Sequence, residues 1–296
     1  MSKTQKHPQA SWFSKVSDVI LTLPQYVIPQ HVLSVVMHAL TRSQVKWFKN
    51  AFIRFITWKF NVNLSEAAVS DRAYYASFNA FFTRELRAGI RPIATGEEVI
   101  VSPVDGAISQ LGPIIGQSIV QAKGRSYTVE ELLGGDKALA EQYQQGQFAT
   151  IYLSPRDYHR IHMPIAGKLK SMRYVPGKLF SVNPRTARAV PRLFARNERV
   201  ICVFDTDFGD VTLVLVGAIF VGSMETVWAG QITPPYGKSI QNWTYEGDEA
   251  LSFEKGQEMG RFNMGSTVVM LLPVGMKPFN QAWQPEEKIQ LGQAMN

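Results

Sequence analysis

Histidine is scarce in this chain, yet two copies sit close together among other reactive side chains. His159 and His162 fall in Tyr152-Leu153-Ser154-Pro155-Arg156-Asp157-Tyr158-His159-Arg160-Ile161-His162-Met163-Pro164, and the remaining three of the five histidines lie at or before residue 38. A lone histidine is usually structural. Two within four residues, beside arginines and an aspartate in a turn-rich stretch, point to proton transfer near neutral pH. Asp105, in Ser102-Pro103-Val104-Asp105-Gly106, and Ser266, in Met264-Gly265-Ser266-Thr267, complete an acid, imidazole and hydroxyl set. Such a set forms an orienter, a base and a nucleophile where the fold brings it together. Each member also has a plain reading: Asp105 as a turn aspartate bonded to local backbone, and Gly265-Ser266 as an ordinary turn before a strand. Spacing alone does not make them converge. A metal centre is undersupported, because no further histidine or cysteine cluster completes a zinc shell. The single cysteine, Cys202, sits in the apolar run Val200–Phe204, which excludes a disulfide framework and fits a buried position in a reducing compartment.

The elements that must position these residues change character along the chain. From about Ser11 to Leu86 the apolar spacing is mostly helical, with turn residues at Pro24, Pro29 and Asn61. Beyond Pro92, short β-branched runs alternate with glycine and proline: Val99 to Val101, Phe148 to Leu153, Val200 to Phe204, Val211 to Val221 and Thr267 to Leu272. The expected class is therefore α+β: a helical portion over residues 1–90 docked on a β-rich sandwich or barrel-like domain over 91–296. Pro103-Val104-Asp105-Gly106 and Pro164-Ile165-Ala166-Gly167 share a Pro-x-x-Gly spacing, as two folded-over halves of a sandwich would.

Charge separates the same two portions. Through residue 60 the cations Lys3, Lys6, Lys15, Arg42, Lys46, Lys49, Arg54 and Lys59 face Asp18 alone, which accounts for the whole formal net charge of +7. The N-terminal portion thus expects an anionic partner, and the body is neutral. Phe48, Phe52, Phe55 and Ile56 line one helical face, with tryptophans and lysines at its margins, which suits a helix lying in a membrane interface better than nucleic acid. The plainer reading packs that face on the body with its lysines solvated. No uninterrupted apolar span reaches the ~20 residues needed to cross a bilayer; Asp18, Pro24, Pro29, His31 and His38 break the best stretch. No apolar core leads to a small-residue cleavage site, so a cytoplasmic location is expected.

Several segments in one order resemble the bacterial phosphatidylserine decarboxylases, a pyruvoyl-dependent family made as self-cleaving proenzymes. They are Pro103 to Gly106, Tyr152 to Pro164, Val175-Pro176-Gly177-Lys178-Leu179-Phe180-Ser181-Val182-Asn183, Leu193 to Val200, Glu225-Thr226-Val227-Trp228-Ala229-Gly230 and Gly256 to Thr267. One departure is Met264, where the family usually has leucine, a change that keeps volume and apolarity. The resemblance implies a cut between Gly265 and Ser266, giving a β chain of residues 1–265 and an α chain of 266–296. In it, Asp105 orients His162, His162 deprotonates Ser266, and the alkoxide attacks the Gly265 carbonyl. β-Elimination and hydrolysis then leave a pyruvoyl group at residue 266 and release ammonia. Glycine at 265 suits this, since its carbonyl can be approached closely. The pyruvoyl group forms a Schiff base with phosphatidylserine and acts as an electron sink during loss of carbon dioxide. His159 is the candidate for handling the substrate carboxylate or returning the proton. The resemblance further implies no metal or pyridoxal phosphate and a heterodimer of the cleaved chains, with further dimerisation left open. It implies a peripheral place on the cytoplasmic face of the bacterial membrane and no nucleic-acid partner. Two other readings compete: a lipid esterase or protease using Asp105, His162 and Ser266 as a stable triad, and a non-enzymatic β-sandwich carrier or membrane-binding module.

Overall fold

The structure, a computed structural model, describes residues 12–220, 223–247 and 250–296. Lys3 and Lys6 of the basic segment lie outside these residues. Three helices open the described chain: α1 (Trp12–Thr22), α2 (Gln30–Thr41) and α3 (Lys46–Phe60). Asn61 ends α3 in the left-handed conformation (φ 53), where asparagine is tolerated. No α-helix follows until the short α4 (Phe78–Phe82), capped by the Ser77 hydroxyl accepting from the Ala80 N–H. The helical texture expected up to Leu86 is therefore interrupted by a long irregular connection after Phe60. That connection is held from within: the buried Lys49 ammonium donates to the backbone carbonyls of Ala73 and Tyr75. Lys49 is thus a structural cation and not a solvated one.

The inward faces of α1 and α2 are polar. Asp18, Thr22, Gln30, Ser34 and Thr41 are buried, whereas Val19, Ile20, Leu21, Val27, Val32, Val35 and Val36 face outward, Val27 at 82% exposure. The buried polar groups bond the body. Asp18 takes Arg188 at 2.8 Å, Gln25 accepts from the Ser181 N–H at 2.8 Å, and Gln30 accepts from the Leu179 N–H at 2.7 Å. On α3, Ile53 is buried and Phe52, Ile56 and Phe60 pack on Phe78, Phe81 and Phe82 in a small core of their own. Trp47, Phe55 and Trp58 stay outside, both tryptophans at 75%. The face expected from spacing is therefore split: Phe52 and Ile56 dock, and Phe55 does not.

Fifteen strands follow among the described residues: β1 (Gly106–Pro113), β2 (Ser118–Ala122), β3 (Arg125–Thr128), β4 (Gln147–Tyr152), β5 (Arg160–His162), β6 (Gly167–Val175), β7 (Arg199–Thr206), β8 (Gly209–Val216), β9 (Met224–Thr226), β10 (Gly230–Gln231), β11 (Gln241–Thr244), β12 (Ser252–Phe253), β13 (Glu258–Phe262), β14 (Thr267–Leu272) and β15 (Lys288–Ile289). The main sheet runs β11-β6-β7-β8-β14-β4-β1-β15, with β12 also on β6, and a second sheet runs β10-β9-β13-β5. Its central strands are continuous apolar runs because both faces are covered. Alternation divides β14: Val268, Met270 and Leu272 join one core with Cys202, Phe204 and residues of the second sheet, such as Ile161 and Phe262. Val269 and Leu271 join the other with Ile201, Leu132 and Phe194, under short helices. The expected α+β architecture, helices followed by an antiparallel β-rich body, is what the chain adopts.

The two Pro-x-x-Gly turns meet. The Val101 N–H donates to the Pro164 carbonyl at 3.0 Å and the His162 N–H to the Pro103 carbonyl at 2.9 Å. Gly106 and Gly167 each open a strand pressed on its partner; a Cβ at Gly106 would lie 2.5 Å from the Tyr152 oxygen. Val99 to Val101 differs from expectation and forms no strand. It makes a single bridge to Ala294 and irregular bonds to the C-terminal tail, such as Met295 N–H to the Ile100 carbonyl at 2.8 Å.

Candidate active site

Ser266 lies immediately before β14, with no exposed surface. Its carbonyl accepts from the Leu153 N–H at 2.9 Å, extending the β14–β4 ladder, in which Thr267 pairs with Tyr152. The preceding turn is pinned from two sides. Asn263 donates from its amide to the Ser223 hydroxyl at 2.9 Å and accepts from Asn79 of α4 at 3.2 Å. Met264 packs against the aromatic core of α3 and α4. The helical portion thus closes over the Gly265–Ser266 bond.

His159 faces that bond. A Cβ on Gly265 would lie 3.4 Å from His159 Nε2 and 3.3 Å from the Leu153 oxygen, so only glycine leaves this side open. His159 Nδ1 is 2.8 Å from the Asp157 carbonyl, which can only accept, so Nδ1 carries the proton. The ring is fully buried, packs tilted against Phe82 with centroids 4.1 Å apart, and has no partner for Nε2 among the described residues. Burial pushes its pKa down to about 3, so Nε2 presents a free lone pair at neutral pH. That lone pair can accept a proton, and the same burial makes it a weak base.

His162 is the same tautomer with its lone pair engaged. Nδ1 donates to the Gly256 carbonyl at 2.8 Å, and Nε2 is 3.1 Å from the Tyr158 hydroxyl, which therefore donates. Burial lowers its pKa as well. Asp105 makes no hydrogen bond to either histidine. Its carboxylate is clamped by Arg91, through Nε at 3.0 Å to Oδ1 and Nη2 at 2.7 Å to Oδ2, and by the Leu291 N–H at 2.8 Å. Arg91 reaches on to Glu66 at 2.6 Å. The structure brings His159, Gly265 and Ser266 together and holds Asp105, in a turn, and His162, at the end of β5, in neighbouring but separate hydrogen-bond sets. The Ser266 hydroxyl has only a long contact, 3.4 Å to the Met264 carbonyl.

Two contacts to the candidate site residues escaped the sequence. Tyr158 lies four residues before His162, but nothing in a tyrosine marks it as a histidine partner. Arg91 is distant from every motif and left no signal. The cavity at Gly265 is also tertiary: about 270 Å3, apolar, and lined by Phe52, Phe78, Phe82, Leu153 and Met264.

Comparison with known proteins follows this geometry. A family model described as phosphatidylserine decarboxylase matches residues 78–295, and a second, described as PSD, matches residues 20–61. A phosphatidylserine decarboxylase proenzyme of Nitrosococcus oceani is 51% identical over 295 residues, covering 100% of this chain and 94% of its own. Proteins of the same name from Delftia acidovorans and Marinobacter nauticus are each 55% identical over 282 residues. The alignments cover 95% and 94% of this chain, and 98% and 97% of those proteins. A family match across the whole β-rich body, joined to relatives more than half identical over nearly the full chain, makes this chain a member of the phosphatidylserine decarboxylase family.

Proposed function

We propose that the chain cuts itself between Gly265 and Ser266, and that residue 266 then serves the decarboxylation of phosphatidylserine to phosphatidylethanolamine. The observation that carries this is the buried Ser266, preceded by a glycine whose open side faces the free lone pair of His159 and whose other side meets an apolar cavity. A carbonyl at residue 266, made from the serine, supplies a place for the electrons left when carbon dioxide departs. The site fits such a group: Thr267 and the Ser266 carbonyl are fixed in the sheet, and an apolar cavity adjoins the position at Gly265. His159 takes up a proton at Nε2 as the substrate ammonium gives one up on binding covalently, and returns that proton at the reacting carbon, its ring held by Asp157 and Phe82.

Maturation is assigned to Ser266 with His162 as base and Asp105 as its orienter, on the family resemblance; Tyr158 and Arg91 must then release their bonds. A second reading gives His159 both tasks, and the free lone pair already beside Gly265 favours it. His162→Ala and His159→Ala separate the two. On the first reading the His162 variant stays uncut and the His159 variant is cut but inactive; on the second, the His159 variant stays uncut.

Membrane contact is proposed from the inverted polarity of α1 and α2. A helix pair that buries its polar residues and exposes its valines and leucines is built for an apolar surround. Among the described residues no single helix is long and apolar enough to cross a membrane. Ser17–Tyr26 and Gln30–Thr41 reach the needed length only together, bent by 82°. They are proposed to lie in the interface, with Arg42, Trp47, Trp58 and Lys59 at headgroup depth and the cavity at Gly265 opening beneath them. The activity test uses phosphatidylserine labelled at the serine carboxyl carbon. The chain releases labelled carbon dioxide and Ser266→Ala does not; release by that variant refutes the proposal.

A further inference from the structure

Arg84 is the unexplained cation of this site. It follows α4, is 4% exposed, and donates from Nη2 to the Arg156 carbonyl at 3.2 Å, while its Nε and Nη1 have no acceptor among the described residues. Its guanidinium lies 5.5 Å from the Phe81 ring centroid. Tyr75, Asp105, Glu66 and Asp157 act on it electrostatically, but none forms an ion pair with it, and burial lowers its pKa. A buried guanidinium with two unpartnered nitrogens is costly unless an anion arrives to take their N–H groups.

Its position says which anion. Arg84 is two residues from Phe82, whose ring packs against His159. The consecutive carbonyls of Arg156 and Asp157 hold the Arg84 guanidinium and the His159 ring. Arg84 also lines a cavity of about 520 Å3 with Asp105, Arg91, Arg156 and Asp157. There Arg91 is spent on Asp105 and Glu66, and the Arg156 side chain is 45% exposed and 3.7 Å from Asp157. Arg84 is the buried, uncommitted donor of that wall.

We infer that Arg84 binds the substrate headgroup, its Nε and Nη1 taking oxygens of the phosphodiester of the serine phospholipid. This rests on the function proposed above. The headgroup offers two anions, a carboxylate and a phosphodiester. The carboxylate loses its charge as carbon dioxide leaves, so a guanidinium on it would hold the ground state more tightly than the transition state and slow the reaction. The phosphodiester keeps its charge throughout, and its two free oxygens match a planar fork of donors.

The test compares a short-chain soluble phosphatidylserine with its neutral phosphate methyl ester, using the full, matured protein. The wild type is expected to prefer the diester by about 100-fold in kcat/KM, the size of two charge-assisted hydrogen bonds. Arg84→Gln is expected to raise KM for the diester with little change in kcat, and to erase the preference, while Arg84→Lys keeps part of it. Three results would overturn the inference: an Arg84→Gln variant that keeps the preference, one that lowers kcat at unchanged KM, or one that accumulates as uncut chain by mass. Failure of the wild type to turn over either lipid would instead overturn the function on which the inference rests.

Discussion

The neutral state of His159 has a consequence for stability that can be worked out before any activity is measured. Unfolded, this imidazole titrates near its ordinary value of about 6.5. Folded, burial holds its pKa down to about 3. Below pH 6.5 the unfolded chain therefore takes up a proton that the folded chain refuses until pH nears 3. The sign follows: this contribution is complete above pH 6.5 and is lost as pH falls towards 3, at a limiting slope of about 1.4 kcal/mol per pH unit. Between pH 7 and pH 5 the loss from His159 alone is about 2 kcal/mol. Urea unfolding at both values, in a Ser266→Ala background to keep one uncut chain, compares His159 with His159→Gln. His162, also lowered by burial, acts in the same direction, and Glu198, pushed up to about 8 by burial, acts oppositely. Both are present in each protein and cancel in the comparison. The histidine protein should lose about 2 kcal/mol more than the glutamine variant on going from pH 7 to pH 5. Equal losses would mean that His159 is solvated or protonated in the folded chain, and the free lone pair assigned to it would be wrong.

Two further predictions address the framework of the site. Arg91→Ala leaves the Asp105 carboxylate, whose side chain is 9% exposed, with the Leu291 N–H as its remaining partner. It should destabilise the chain by about 3–5 kcal/mol in urea unfolding, and less so when Asp105→Ala is present too, since the stranded charge is then gone. Val27→Gln with Val32→Gln should weaken co-sedimentation with anionic vesicles by about tenfold or more, each valine carrying about 1.5 kcal/mol of transfer. Both side chains are exposed, so stability should stay within about 0.5 kcal/mol of the parent.

The strands of the central sheet were legible because doubly buried strands are written as unbroken β-branched runs, and Val200 to Phe204 and Thr267 to Leu272 fall on β7 and β14. Val99 to Val101 misled for the opposite reason: the run is apolar because it is buried, but its partner is an irregular tail, and periodicity does not report what an apolar segment packs against. The apolar face of α3 was readable from spacing, whereas the inward faces of α1 and α2 depended on Asp18 and Gln30. In sequence Asp18 looks like an interruption and Gln30 carries no signal, and in the fold both are docking groups. At the site, His159, His162, Ser266 and Asp105 drew attention by type and company. Their bonding did not follow from it, because Arg91 and Tyr158 compete for Asp105 and His162 through contacts set by the fold and not by local spacing.

The central claim is that the Gly265–Ser266 bond is broken by the chain itself and that residue 266 ends as a carbonyl. Intact-mass measurement of the purified protein, with and without hydrazine treatment, tests it most directly. The account predicts two chains, residues 1–265 and 266–296, with the hydrazine adduct on the second, and a single unlabelled chain of 33.2 kDa for Ser266→Ala. A wild-type protein that stays at one mass without an adduct, or a Ser266→Ala protein that yields both fragments, would contradict it.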